Sequence, residues 1–432
     1  MRRVRLIILF AAALVASLQA SGRELPRYTR ERIDSLLAAG LAEGYYPGAQ
    51  VIIGERGKIL YEKCVGHLDT TRNAIVSPRT VYDIASLTKV VATTFAVMTL
   101  YDARRIDLNA SVGKYIKDYN GTGVDDITIS QLLTHTSGLP YFAIYPLLFG
   151  SGSGGPMTRP VLDEEAYPLM VDRGCYLCAD PAPDPRFVSY VPREGWRRAG
   201  ENIYVNPAAD TLVRSAVVRY YKPERSGTYR YTDVNFHILR LVVEKITGQT
   251  LDEHTRTLYD RLGMEDTGYR PLEWIAPEGI APTEYDYLMQ RGLVRGYPHD
   301  EFAAIAESAV EGNAGIFSTA RDMARFCEMM LAGGTLDGEN LISRETVRLF
   351  TGSPLAPKKI YRGLGFDKRD PKSSLGDGYG HTGYTGTFIW VDPSKDLYMV
   401  FLSNRVHPSR LNTGLLDSGL RTVIWQTARA AR

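Results

Sequence analysis

The stretch TVYDIASLTKVVATTFAVM, residues 80–98, decides how this chain is read. Polar Ser86, Thr88 and Lys89 stand directly before an apolar run. Val91, Phe95 and Met98 recur there at helical spacing, and Val90 and Val97 widen the apolar face. The pattern places Ser86 at or near the N-terminus of a buried helix, with Ser86 and Lys89 on one face at i and i+3. A hydroxyl is a poor nucleophile unless a base takes its proton. A Lys can be that base only if burial or a nearby cation lowers its pKa. The helix N-terminus adds a positive end that favours negative charge developing at Ser86. Ser-x-x-Lys alone also fits a helix cap followed by a solvated Lys.

Two further stretches bear on that choice. Tyr231-Thr232-Asp233 opens a helical pattern in GTYRYTDVNFHILRLVVEKITG (227–248), and His381-Thr382-Gly383 lies in GYGHTGYTGTFIWVDPSKDLYMVFLSNR (378–405). In this order, Ser-x-x-Lys, Tyr-x-Asn/Asp and Lys/His-Thr-Gly resemble the serine penicillin-recognising superfamily of class C β-lactamases, DD-peptidases and related esterases. The flanks ITISQLLTHTSGLP (127–140) and GNAGIFSTARDMARFCEMMLAGG (312–334) extend the resemblance over nearly the whole chain. It implies an α+β, β-lactamase/transpeptidase-like fold: an antiparallel sheet flanked by helices, with a helical subdomain. The expected sheet subdomain comprises 21–95 and 300–432, and the helical one 96–299, with an insertion at 141–225.

The resemblance also implies roles. Ser86 would attack a carbonyl carbon and form an acyl-enzyme, while Lys89 and Tyr231 share the proton traffic. The backbone N–H groups of Ser86 and Tyr384 would form the oxyanion hole, with Thr382 and Gly383 beside the substrate. Three positions depart from the commonest pattern. Asp233 stands where many members have Asn; near Lys89 it would hold the ammonium charged, unless it is itself protonated. His381 replaces a Lys. If its imidazolium holds a substrate carboxylate, binding should weaken as pH rises. Asn313 replaces a His, so no role carries over from that residue. His135 reads as part of a structural turn and His299-Asp300 as a local hydrogen-bonded pair. His67, His237, His254 and His407 read as structural or surface residues.

Residues 1–20 read as an export signal: Arg2, Arg3 and Arg5 precede the apolar LIILFAAALVASL, and cleavage is expected after Ala20. Removing them turns 51 basic against 49 acidic residues into 48 against 49. That balance argues against an extended nucleic-acid surface. The expected location is periplasmic or secreted, with no membrane span after signal removal. The substrate is expected to be a small peptide, ester or β-lactam, with peptidoglycan a candidate partner. Neither metal nor cofactor is expected. Among the four Cys, Cys175-x-x-Cys178 reads as a small disulfide or as free thiols. The expected activity is that of a D-alanyl-D-alanine carboxypeptidase. A carboxylesterase or weak β-lactamase, or a β-lactam-binding sensor that does not turn over, are the alternatives.

Local patterns fill in the rest. Residues 29–43 are helical, and AQVIIGERGKILYEKCVG (49–66) is a hairpin turning at Glu55-Arg56-Gly57. Residues 234–248 and 251–264 are helices stopped by Gly248 and Gly263. Thr319 and Asp322 look like a capping box. Residues 141–225 are loop-like, with FGSGSGG at 149–155, a Pro-rich CADPAPDPR at 178–186, and aromatics that either line a substrate edge or pack the insertion down.

Overall fold

The computed structural model describes residues 24–306 and 308–432; the expected export signal at 1–20 lies outside them. Helix α1 (Arg27–Ala42) leads into strands β1 (Gly48–Glu55) and β2 (Lys58–Gly66). Their turn runs through Gly57, whose φ of 73° is one a side chain with a Cβ rarely adopts. Helices α2 (Phe95–Asp102), α3 (Val234–Thr247), α4 (Leu251–Leu262) and α5 (Ala320–Leu331) follow. The chain closes with strands β3 (Asp367–Lys368), β4 (Tyr379–Thr382), β5 (Phe388–Asp392) and β6 (Leu397–Ser403), then helix α6 (Leu420–Ala430).

The six strands form one antiparallel sheet in the order β3-β4-β5-β6-β1-β2, so its centre joins the two ends of the chain. Val51 lies opposite Phe401, and Ile52 opposite Val400. Successive side chains point to opposite faces, and here both faces are apolar. Ala49, Val51, Ile53, Trp390, Met399 and Phe401 pack with α1 and α6 through Ile33, Leu37, Ile424 and Trp425. Ile52, Ile389, Val391, Val400 and Leu402 face the main core, which also holds Met323 and Phe326 of α5. A sheet covered on both faces reads as continuous hydrophobic runs, which explains the unbroken apolar strings in β1, β5 and β6.

The helix stops at Gly248 and Gly263 are present, both residues adopting the left-handed conformation. The Thr319 cap is only half a capping box. Thr319 accepts from the Asp322 N–H, but the Asp322 carboxylate turns away to accept from the Asp266 N–H and the Thr267 hydroxyl, both at 2.8 Å. Burial pushes that carboxyl up to about 6.

Residues 141–225 are more structured than their composition suggests. They contain short strand pairs, including Phe149–Ser151 with Pro181–Pro183 and Leu169–Asp172 with Cys175–Leu177, and a helix at Asp210–Tyr220. All four Cys are free thiols. Cys175 begins a strand, and a rise of about 3.3 Å per residue carries Cys178 too far along for a disulfide, whose Cα atoms sit about 5.5 Å apart. Among the described residues no helix is long and apolar enough to cross a membrane.

Candidate active site

Residues 80–98 are buried apart from Ser86. The expected buried helix is present, and it buries Lys89, Thr93 and Thr94 along with its apolar residues. It is not α-helical from its start: a 3-10 turn at Ala85–Leu87 and a π-helical segment at Lys89–Thr94 precede α2. Ala85 sits at φ 48°, a strained value for a residue with a Cβ. The neighbouring loops hold it there. The Ala85 N–H donates to the Asp83 carboxylate at 2.8 Å, whose other oxygen accepts from the His299 N–H at 2.7 Å. The Thr385 and Thr387 hydroxyls donate to the Asp83 and Ile84 carbonyls at 2.8 and 2.9 Å. These bonds tie the turn after His381-Thr382-Gly383 to the turn that presents Ser86. Gly383 must be Gly: a Cβ would meet the Thr387 hydroxyl at 2.0 Å and the Ile84 carbonyl at 2.6 Å.

The Lys89 ammonium is completely buried and donates to three acceptors: Ser86 Oγ at 3.0 Å, Asp233 Oδ1 at 2.5 Å and the Asn313 carbonyl at 3.0 Å. Three donors are all an ammonium has. Burial would lower its pKa, but the charge of Asp233 and the hydrogen bond to it more than offset this, so Lys89 is held above its ordinary value. Tyr231 Oη donates to Ser86 Oγ at 3.2 Å. Burial raises the Tyr231 pKa against the lowering effect of Lys89, so Tyr231 rests as a phenol. Ser86, Lys89, Tyr231 and Asp233 therefore converge as the motifs anticipated, and Asp233 holds Lys89 charged as its carboxylate chemistry implied.

His381 lies on β4 beside this group, but not as a cation. Burial pushes its pKa down to about 4, opposed by Asp367 and reinforced by Arg362 and Lys89. Its Nδ1–H donates to the Thr382 carbonyl at 2.8 Å, which leaves Nε2 as a bare lone pair. An imidazolium that holds a substrate carboxylate, the condition considered from the sequence, is disfavoured by this burial. The Tyr384 ring is 42% exposed at the pocket mouth, and among the described residues its backbone N–H donates to no backbone carbonyl.

His135 holds the Tyr231 segment in place. Its Nδ1 accepts from the Thr232 N–H at 3.3 Å and the Asn235 amide at 3.0 Å, and its ring lies 4.5 Å from that of Tyr231. His299 and Asp300 do not bond to each other. His299 Nε2 lies 2.9 Å from Glu284, whereas Asp300 caps the helix Glu301–Ile305 and accepts from the Asn313 amide at 3.0 Å. The contribution of Asn313 to Lys89 is a backbone carbonyl, which no side-chain motif announces. Glu311 fixes that loop by accepting from the Gly312 N–H at 2.6 Å, with His237 at 2.9 Å and Arg240 at 3.2 Å. Asp210, His237 and Glu311 bring ligand atoms within 4.8 Å of one another, but Arg240 already supplies the cation there.

Two cavities meet the group. One of about 390 Å³ contains Ser86, Tyr231, His381 and Tyr384 together with Arg362, Arg405 and Arg421. The other, about 270 Å³, reaches Asp233 and Asp300, and Tyr141, Tyr145 and Asp172 of the 141–225 stretch form part of its wall. Neither the arginines nor Asp83 carries a local sequence signal, because distant segments bring them together.

Comparisons with known proteins bear on the family and the fold. The family model described as beta-lactamase matches residues 33–166 and 190–419; its interruption falls inside the stretch expected as an insertion. The chain is 27% identical over 409 residues to an N-acetylmuramyl-L-alanine amidase of Bacillus subtilis, covering 87% of this chain and 81% of that protein. It is 26% identical over 411 residues to a putative D-alanyl-D-alanine carboxypeptidase of Escherichia coli K12, covering 87% and 83%. Among solved structures, the octameric penicillin-binding protein homologue of Pyrococcus abyssi aligns with TM-score 0.61 at 18% identity, covering 90% of this chain and 77% of that one. A class C beta-lactamase aligns with TM-score 0.61 at 16% identity, covering 94% and 98%.

Proposed function

The chain belongs to the beta-lactamase family of hydrolases, and from that premise we propose that it is an exported D-alanyl-D-alanine carboxypeptidase that forms an acyl-enzyme on Ser86. The observation that carries this reading is the triangle at the nucleophile, with Lys89 Nζ at 3.0 Å and Tyr231 Oη at 3.2 Å from Ser86 Oγ. The name of the Escherichia coli relative supports the substrate class, and the basic-then-apolar pattern of residues 1–20 supports export.

In this mechanism Ser86 Oγ bonds to the substrate carbonyl carbon as its proton passes to Lys89. The accepting form is the neutral amine, so Lys89 ends as an ammonium beside the Asp233 carboxylate, and its new positive charge balances the negative charge formed on the carbonyl oxygen. The carbonyl oxygen, now negative, is held by the Tyr384 and Ser86 N–H groups. Losing one such donor typically costs about 100-fold or more in rate. Tyr231 gives its proton to the leaving nitrogen as the C–N bond breaks; the water that then cleaves the Ser86 ester returns a proton to the Tyr231 phenolate, and Lys89 returns one to Ser86 Oγ.

A second reading, an amidase acting on muramyl-alanine bonds, is favoured by the name of the Bacillus relative at similar identity. Steady-state turnover of a D-Ala-D-Ala peptide, a muramyl-L-alanine amide, a nitrophenyl ester and a cephalosporin separates these readings. The D-Ala-D-Ala peptide should have the highest kcat/KM. Faster muramyl-amide cleavage would replace the first reading with the second, and ester turnover with neither amide cleaved would overturn both.

A further inference from the structure

The pocket beside Ser86 is more cationic than one substrate carboxylate requires. Arg362 is 3% exposed and donates one N–H to Asp367 at 2.6 Å; its Nε and Nη2 face no acceptor among the described residues. Its guanidinium lies 5.9 Å from the ring centres of Tyr229 and Tyr231. Arg405 is 1% exposed, donates to the Asn412 carbonyl through Nη1, hydrogen-bonds the Tyr384 side chain, leaves Nε without an acceptor and lies 4.6 Å over the Tyr384 ring. Arg421 donates to the Thr387 carbonyl at 2.9 Å. Neither Arg405 nor Arg421 has a carboxylate in ion-pair range among the described residues. Counting the exposed Arg369, four guanidiniums share this pocket with one carboxylate, that of Asp367. His381 is neutral and adds nothing to either side.

Buried guanidinium groups are costly unless paired, and the unmatched N–H donors of Arg362 and Arg405, buried just behind the pocket wall, are costly for the same reason. Burial lowers the pKa of both Arg405 and Arg421, and for Arg421 the nearby charge of Arg405 adds to that lowering. An arrangement of this kind is relieved by anions arriving with the ligand. The vacant donors also fall in two places: those of Arg362 beside Tyr231, and those of Arg405 beside Tyr384. One carboxylate satisfies one of these places and leaves the other unmatched.

We propose that this pocket receives a leaving group bearing two negative charges, an acidic amino acid or the acidic end of a short peptide, one carboxylate at Arg362 and the other at Arg405 and Arg421. The proposal rests on the acyl-enzyme reading and specifies its substrate. Planar guanidinium forks suit carboxylates in pairs of parallel bonds, and a cleft of one sign also draws such substrates in from solution.

The test is a series of amides with one acyl group, N-acetyl-D-alanyl, and leaving groups of increasing charge: alaninamide, alanine and aspartate. The expected kcat/KM rises at each step, with aspartate at least about tenfold above alanine, and added salt reduces the advantage. In Arg405→Gln and Arg421→Gln the ratio of aspartate to alanine should fall towards one, and Arg421→Lys should restore part of it. Melting temperature checks that each variant is folded. Equal or slower cleavage of the aspartate amide by the wild-type protein overturns the proposal. If no member of the series is cleaved while a nitrophenyl ester of the same acyl group still acylates Ser86, the charge proposal falls and the serine-hydrolase reading stands. If the ester fails too, both fall.

Discussion

Lys89→Met should lower kcat/KM by at least about 1,000-fold on any substrate the wild-type protein cleaves, within the range that a positioned general base supplies. The side chain is buried, and its ammonium contacts the nucleophile, the carboxylate beside it and a fixed carbonyl. Met retains the length and the packing but can neither accept nor donate the Ser86 proton. Groups that act as one unit are lost together, so Ser86→Ala combined with Lys89→Met should be no slower than the worse single variant. The single Lys89→Met change also leaves the Asp233 carboxylate without its cation, which destabilises the fold by itself. Lys89→Met with Asp233→Asn removes both charges and separates the two effects: the folded double variant should melt closer to wild type and remain inactive. Activity within tenfold of wild type in either folded variant would remove Lys89 from the proton path.

The second large effect is on pH dependence. Asp233, 2.5 Å from Lys89, holds the ammonium above its ordinary pKa. The form that can accept the Ser86 proton is therefore scarce at neutral pH and grows as pH rises. Log kcat/KM for the wild-type protein should climb with pH well into the alkaline range. Asp233→Asn removes the anion while burial continues to penalise the charged amine, so the limb should move to lower pH by about 1–3 units, the usual effect of one close opposite charge. Kinetics from pH 5 to 10 on an uncharged ester decide this, because substrate ionisation does not contribute. An unmoved limb would mean that Asp233 does not set the charge of Lys89. The same profiles examine His381. Since burial pushes it down to about 4, no alkaline limb of imidazole origin should appear, and His381→Lys should not extend one.

What could be read from the sequence, and what could not, follows from the kind of group involved. Ser86, Lys89, Tyr231, Asp233 and His381 carry side chains whose chemistry few other residues offer, so their spacing was visible. The central strands were visible as apolar strings, and Gly248 and Gly263 as helix stops. The carbonyl of Asn313 was not visible, because any residue supplies one. Asp83 and the arginines at 362, 405 and 421 became apparent only when the fold brought separate segments to one pocket. The charge of His381 was left conditional, because burial, not residue type, sets it. The Asp322 side chain was assigned to its own helix cap, but a tertiary partner, Thr267, claimed it. The 141–225 stretch looked loop-like because its strands are too short to show a period.

The most direct test of the account is whether the bond to substrate forms at Ser86. The protein would be quenched in acid during turnover of a nitrophenyl ester and after exposure to penicillin, and its intact mass and peptide map recorded. The expected result is one added acyl or penicilloyl group on the peptide carrying Ser86, and none in Ser86→Ala, which should also lose turnover. Hydrolysis by a folded Ser86→Ala protein, or an adduct mapped to another residue, would contradict the account.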